Sequence, residues 1–270
     1  MRPETTSAMD LNLEVALKAA LEAGKAILEI YNSGNFDVTI KGDDSPLTRA
    51  DLASHEVIVS HLEPTNIPIL SEEGRGIPFS ERRDWEQLWI VDPIDGTKEF
   101  IKRNGEFTVN IALVQKGLPV LGVIFVPAAG ELYYADQKSG AFKLEEVATM
   151  EDVVRDRSTA QKLPLDPGRR PFTVVASRSH MSRETEEYVE KMRQEHGEVA
   201  LISKGSSLKL CMVAEGKADC YPRFAPTMEW DTAAGQAICM SANFDVLDWE
   251  TQSTMRYNRE NLLNAWFLVH

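Results

Sequence analysis

The segment Trp89-Ile90-Val91-Asp92-Pro93-Ile94-Asp95-Gly96-Thr97 constrains this chain more than any other. Its apolar start is a short run bounded by turn residues, which reads as a buried strand. Asp92 and Asp95 then fall where that strand stops. Pro93 fixes its own φ and pushes Asp92 toward an extended backbone. Ile94 can lie between the acids with its carbonyl turned the same way. Gly96 permits a tight turn, and Thr97 can start the next element. Two carboxylates and a carbonyl on one turn are hard oxygen ligands of the type Mg²⁺ prefers. The backbone N–H groups after them could cradle a phosphate. A lone segment of this kind is equally an Asx-turn with a capping threonine, so the weight falls on matching acids elsewhere.

Such acids recur at the edges of other elements. Glu72 follows an apolar stretch, Ile67 to Leu70, that reads as a strand. Asp231 opens a small-residue helix in Glu229-Trp230-Asp231-Thr232-Ala233-Ala234-Gly235, where a capping role is as natural as an ion. Asp51 lies three residues after Thr48 and reads by itself as a capping-box acid. Singly, each is a structural residue; together they supply carboxylates for two or three divalent cations. Without metal the cluster would repel itself.

The bulk composition narrows the classes. The chain has 270 residues, a formal net charge of -13 and 43% hydrophobic residues. That suits a globular protein with a sizeable core. An acidic balance opposes a nucleic-acid polymer as partner, which needs a basic stripe. No apolar run reaches the ~20 residues that span a bilayer, and Met1 to Asp10 carries no secretory pattern. Cys211, Cys220 and Cys239 form no CxxC pair and sit among apolar neighbours, as reduced, buried thiols of a cytoplasmic protein would.

Helical spacing covers Leu11 to Tyr31, and a second helix is expected from Thr48 to near Glu63, before Pro64. Strands are expected at Phe107 to Gln115, Pro119 to Val126 and Glu131 to Ala135. Residues 145–171 read as a connection and a soft domain boundary. Beyond it, strands are expected at Phe172 to Ala176 and Val199 to Ser203, with helices at Ser182 to Gln194, Ser206 to Glu215 and Asp231 to Met240. Asp245 to Trp249 and Ala265 to Val269 close the chain as strands. The first part (1–150) is α+β and the second (170–270) alternates α and β, packed as one unit.

On Asp92 to Thr97, Glu72-Glu73 and Trp230 to Gly235, the chain resembles the lithium-sensitive, magnesium-dependent phosphomonoesterases that include inositol monophosphatase. Within that superfamily, Lys98 to Ile111, Ser177 to His180, Gly205 to Cys211 and Tyr221 to Phe224 are similar to the CysQ-type 3′(2′),5′-bisphosphate nucleotidases. The resemblance implies a layered αβαβα sandwich and Mg²⁺-dependent removal of the 3′-phosphate of adenosine 3′,5′-bisphosphate, a by-product of sulfate activation.

It also implies residue roles. Glu72, Asp92 and the Ile94 carbonyl would hold a first Mg²⁺; Asp92, Asp95 and Asp231 a second, with a third looser ion near Glu72. Thr97, hydrogen-bonded to Asp51, would orient the attacking water, and the Gly96 and Thr97 N–H groups would bind phosphate. His180, Ser206, Lys209 and Arg223 would line the nucleotide site, Lys209 and Arg223 serving a second phosphate. An inositol or sugar phosphate is the alternative substrate for the same metals. A non-catalytic sensor is the contrasting class, opposed by the intact set Asp51, Glu72, Asp92, Asp95, Thr97 and Asp231, because a binder needs no water activator. A second copy of the chain, as a homodimer, is left open as a partner; bacterial relatives imply loose attachment to the inner membrane face, for which no basic amphipathic helix speaks here.

Overall fold

The computed structural model describes residues 10–42, 46–176 and 182–270. Helix α1 (Leu11–Ser33) begins at Asp10, whose side chain accepts from Asn12 N, and ends at Gly34 in the left-handed region. A hairpin of β1 (Thr39–Ile40) and β2 (Pro46–Leu47) leads to α2 (Arg49–Leu62), which Thr48 and Asp51 start as a capping box. β3 (Ile69–Ser71) and the short α3 (Phe79–Arg82) precede β4 (Gln87–Asp95) and the one-turn α4 (Thr97–Ile101). The meander β5 (Thr108–Gln115), β6 (Leu118–Val126), β7 (Glu131–Asp136), β8 (Gly140–Leu144) follows, then α5 (Met150–Asp156) and β9 (Gln161–Lys162).

Strands β3 to β9 form one sheet in chain order, antiparallel except for the parallel β3–β4 pair. β4 shows why one face differs from the other. Trp89 and Val91 pack with α1 and α2, while Leu88 and Ile90 face the opposite core. Both faces are covered, so these strands read as continuous apolar runs.

The second part begins with β10 (Phe172–Ala176), α6 (Arg183–His196), β11 (Val199–Ser203) and α7 (Leu208–Ala214). It ends with β12 (Tyr221–Arg223), α8 (Glu229–Ser241), β13 (Val246–Asp248) and β14 (Phe267–Val269). β10 and β11 pair in parallel, β12-β14-β13 form an antiparallel sheet, and a bridge from Val174 to Cys220 links the two. α7 and α8 share a core with both this sheet and the large one. α6 packs on the small sheet's far side through Val189 and Met192. The layers therefore run α1/α2, large sheet, α7/α8, small sheet, α6: the expected αβαβα sandwich.

The stretch expected as a connection differs from that reading, because it contains α5, again started by a capping box, Thr149 with Asp152. Only Val153 of that helix is buried, so no apolar stripe announced it. Helix α7 starts two residues later than expected, and Ser206 sits in the left-handed region with φ 48°. Trp230 and Trp249 are half-buried, whereas Trp89 is fully enclosed. The three cysteines are free and buried.

Candidate active site

The large sheet delivers the first acids. β3 lies parallel to β4, and Glu72 N donates to Val91 O at 3.1 Å, which sets Glu72 beside the end of β4. A register shift between Asp92 and Asp95 breaks the β4–β5 ladder there. The Ser54 hydroxyl donates to Pro93 O at 2.8 Å and holds the irregular turn against α2. Gly96 then adopts φ 94°, and a Cβ at this position would lie 2.0 Å from Ser206 Oγ. Glycine is required here by both the backbone and the neighbour.

Asp51 reaches the same place from α2. Its Oδ2 accepts from Thr48 N at 2.7 Å, and its Oδ1 accepts from Thr97 Oγ1 at 3.2 Å. The capping reading and the catalytic reading of Asp51 are thus both physically available to one side chain. The Ile94 carbonyl also lies within 3.5 Å of Thr97 Oγ1. Asp231 enters from the other side of the sheet, at the third position of α8, where it accepts from Met228 N at 2.8 Å.

These acids crowd one another. Asp92 is 1% exposed, and its Oδ1 has no hydrogen-bond partner. Burial pushes its carboxyl well above the usual range, and Glu72, Asp95, Asp231 and Asp51 push it further. Asp231 rises to about 8 through burial and the neighbouring Asp95. Burial also raises Asp51 and Glu72, against hydrogen bonds from Thr48 and Lys41 respectively. Lys41 donates to Glu72 Oε1 at 2.9 Å and also to Glu73, and these bonds raise its pKa despite burial.

A buried orphan acceptor inside a ring of acids fits a cation. Among the described residues no three His, Cys, Asp or Glu groups converge as a ready cage. Mg²⁺ does not require one, because it keeps several waters and takes one or two carboxylates.

A cleft of about 320 Å³ opens beside the acids, lined by Asp95, Gly96, Ser206, Lys209, Arg223 and Asp231 among others. Lys209 is only 8% exposed, and its Nζ donates to Ser206 O at 2.7 Å. Burial lowers its pKa to about 8, partly offset by Asp95. Arg223 donates through Nη2 to Pro226 O at 3.0 Å, while its Nε is buried without a partner. Ser206 ties loops together, its hydroxyl within 2.9 Å of Asp95 O and 2.7 Å of Glu106 O. Lys98 and Glu99 line the same cleft. His180, expected as a ligand to nucleotide, lies outside the described residues.

Three participants were not singled out from the sequence: Lys41, Asn110 and Ser207. Asn110 carried a readable signal, since it is a polar residue inside the apolar run Val109 to Val114. Ser207 fell inside the helix expected from Ser206, and Lys41 at the start of a polar loop.

Residues 9–267 match the inositol monophosphatase family. Over 260 residues the chain is 45% identical to the 3′(2′),5′-bisphosphate nucleotidase CysQ of Salmonella typhimurium, covering 95% of this chain and 98% of that one. The corresponding Escherichia coli K12 protein, of the same name, is 44% identical over 260 residues, with 95% and 98% coverage. The crystal structure of CysQ from Bacteroides thetaiotaomicron, described as a bacterial member of the inositol monophosphatase family, superposes with a TM-score of 0.88. It shares 52% identity, and 96% of each chain is covered.

Proposed function

Because the chain belongs to the inositol monophosphatase family, we propose that it is a 3′(2′),5′-bisphosphate nucleotidase, hydrolysing the 3′-phosphate of adenosine 3′,5′-bisphosphate to AMP and phosphate. The observation that carries the chemistry is the buried, partnerless Asp92 Oδ1 within a ring of four further acids. The observation that carries the substrate is the cleft beside it, which brings Lys209 and Arg223 to the same opening.

Glu72, Asp92 and the Ile94 carbonyl are the proposed ligands of one Mg²⁺; Asp92, Asp95 and Asp231 are those of a second, and Glu72 is the proposed ligand of a third, looser ion. When bound, such ions supply Lewis-acid chemistry, acidifying a water and stabilising the leaving oxygen. Thr97 gives its hydroxyl hydrogen to Asp51 Oδ1, so its oxygen lone pairs are left to accept from a water. As that water attacks phosphorus, Thr97 accepts its proton, and Asp51 Oδ1 receives the threonine proton in turn. The N–H groups of Gly96 and Thr97 are the proposed donors to phosphate oxygens. Lys209 and Arg223 would hold the second phosphate, Arg223 with the Nε that is otherwise unpartnered. Among the described residues no helix is long and apolar enough to cross a membrane.

Phosphate release with Mg²⁺ from a substrate panel tests this reading. The panel is adenosine 3′,5′- and 2′,5′-bisphosphate, 5′-AMP, inositol 1-phosphate and fructose 1,6-bisphosphate. The expected result is a kcat/KM preference for the 3′,5′-bisphosphate of about 100-fold or more over the monophosphates, roughly 3 kcal/mol in the transition state. A flat profile, or inositol phosphate ranking first, would leave the metal chemistry and overturn the substrate.

A further inference from the structure

Ser207 stands at the N-cap of α7, where a serine ordinarily accepts from the backbone of the first turn. Here its side chain caps nothing. The hydroxyl lies 2.6 Å from Asp95 Oδ2 and 3.0 Å from the Asp231 carbonyl, and it accepts from Asn110 Nδ2 at 2.7 Å. A hydroxyl has one hydrogen, and the short contact to a carboxylate is the stronger place for it. Asn110 supplies the donor on the other side, so the hydroxyl's orientation is determined. Asn110 is 1% exposed and Ser207, at the floor of the cleft, 2%, so both side chains are buried.

The placement in the fold gives this contact its meaning. Asn110 sits on β5 directly opposite Asp92, next to the irregular end of β4. Asp95 comes from that end, Ser207 from the second part of the chain, and Asp231 from the start of α8. One hydroxyl therefore joins the β4 turn to α7 and α8. A polar residue inside an apolar strand, and a cap that leaves its helix uncapped, both carry a local cost. Both instead serve the carboxylate of Asp95.

We propose that Asn110 and Ser207 form a relay that positions the Asp95 carboxylate for a divalent cation. This role presupposes that Asp95 is an ion ligand. The bond from Ser207 engages Asp95 Oδ2 and limits rotation of the carboxylate, leaving its remaining lone pairs for the ion. Partners of this kind fix the orientation of a ligand, and their loss typically weakens metal affinity about 10- to 100-fold. Ser207 is accordingly a positioning residue, acting through Asp95.

The test is Mn²⁺ binding to the full chain without substrate, read by the free-Mn²⁺ electron paramagnetic resonance signal, for wild type, Ser207→Ala, Ser207→Thr, Asn110→Leu and Asp95→Asn. Ser207→Ala is expected to bind Mn²⁺ about 10- to 100-fold more weakly, and Ser207→Thr to restore affinity to within a few-fold. Asn110→Leu keeps similar volume, removes the donor, and is expected to weaken binding by a smaller factor. It serves as the deciding variant if Ser207→Ala does not fold. Unchanged affinity in Ser207→Ala or Asn110→Leu, with weakened binding in Asp95→Asn, would overturn the relay and leave the metal site standing. Unchanged affinity in Asp95→Asn would overturn both.

Discussion

Asp51 uses its two carboxylate oxygens for different partners: Oδ2 caps α2 through Thr48, and Oδ1 receives the Thr97 hydroxyl. Substitution can separate the two. The amide oxygen of an asparagine can still accept from Thr48 N, so Asp51→Asn should keep the capping box and the fold. It cannot take a proton as a carboxylate does. The expected outcome is a fall in kcat of about 10²- to 10⁴-fold with KM little changed. Steady-state kinetics alongside a thermal melt will check it, and normal turnover in Asp51→Asn would remove Asp51 from the chemistry. Thr97→Ser keeps the hydroxyl and is expected to retain most activity. The sequence disclosed the capping pattern of Asp51 by spacing. Its partnership with Thr97 came only by resemblance, because 46 residues separate the two.

Helix α8 brings Asp231 to the site by lying close on the large sheet. That approach is possible because residues at the contact are small. A Cβ on Gly122 of β6 would sit 2.3 Å from the Ala234 carbonyl oxygen and 2.8 Å from Ala237 Cβ. These are atoms of the helix body and cannot swing away. Gly122→Ala is therefore expected to destabilise the protein by about 1–3 kcal/mol through overpacking. A lower urea midpoint with an unchanged slope will show this, and an unchanged midpoint would disprove the close approach. The first residue of α8 is held by charge: Glu229, 0% exposed, accepts from Arg259 Nε and from the N–H groups of Asn258 and Arg259 at 2.7 to 3.0 Å. The polar character of the segment Glu250 to Asn264 thus has a purpose that its sequence did not disclose. Arg82 joins it, donating to the Arg259 and Glu260 carbonyls. Long apolar elements such as α1 and β4 to β6 were legible because they satisfy their burial pattern locally. α3, α5 and β8 were not, being short or nearly without buried side chains.

Across the whole molecule the acid cluster sets a pH dependence. Burial and Asp95 raise Asp231 from 3.8 unfolded to about 8 folded, and Asp92 is pushed in the same direction. Below about pH 4 both states are protonated and the cluster imposes no penalty. As pH rises toward 8 the unfolded chain ionises while the folded one resists. The folded state then holds more protons, and stability falls. Mg²⁺ bound only by the folded state opposes this by mass action. The gap in melting temperature between Mg²⁺-loaded and chelator-treated protein is expected to widen from about pH 5 to pH 8. A constant gap would place the ion elsewhere. The sequence by itself determined the layered architecture's main elements and the residues that carry charge to element edges. Apolar periodicity, Pro93, Gly96 and the Thr48–Asp51 spacing act within a few residues and need no tertiary context. Tertiary structure alone decided which of those acids share one burial site and that Ser207 serves Asp95 and leaves its own helix uncapped. It also decided that Lys209 and Arg223 open on the same cleft as Asp231. The Ser207 contacts join segments about 100 residues apart, and all of these meetings depend on the packing of two sheets on α7 and α8. No local pattern encodes that distance.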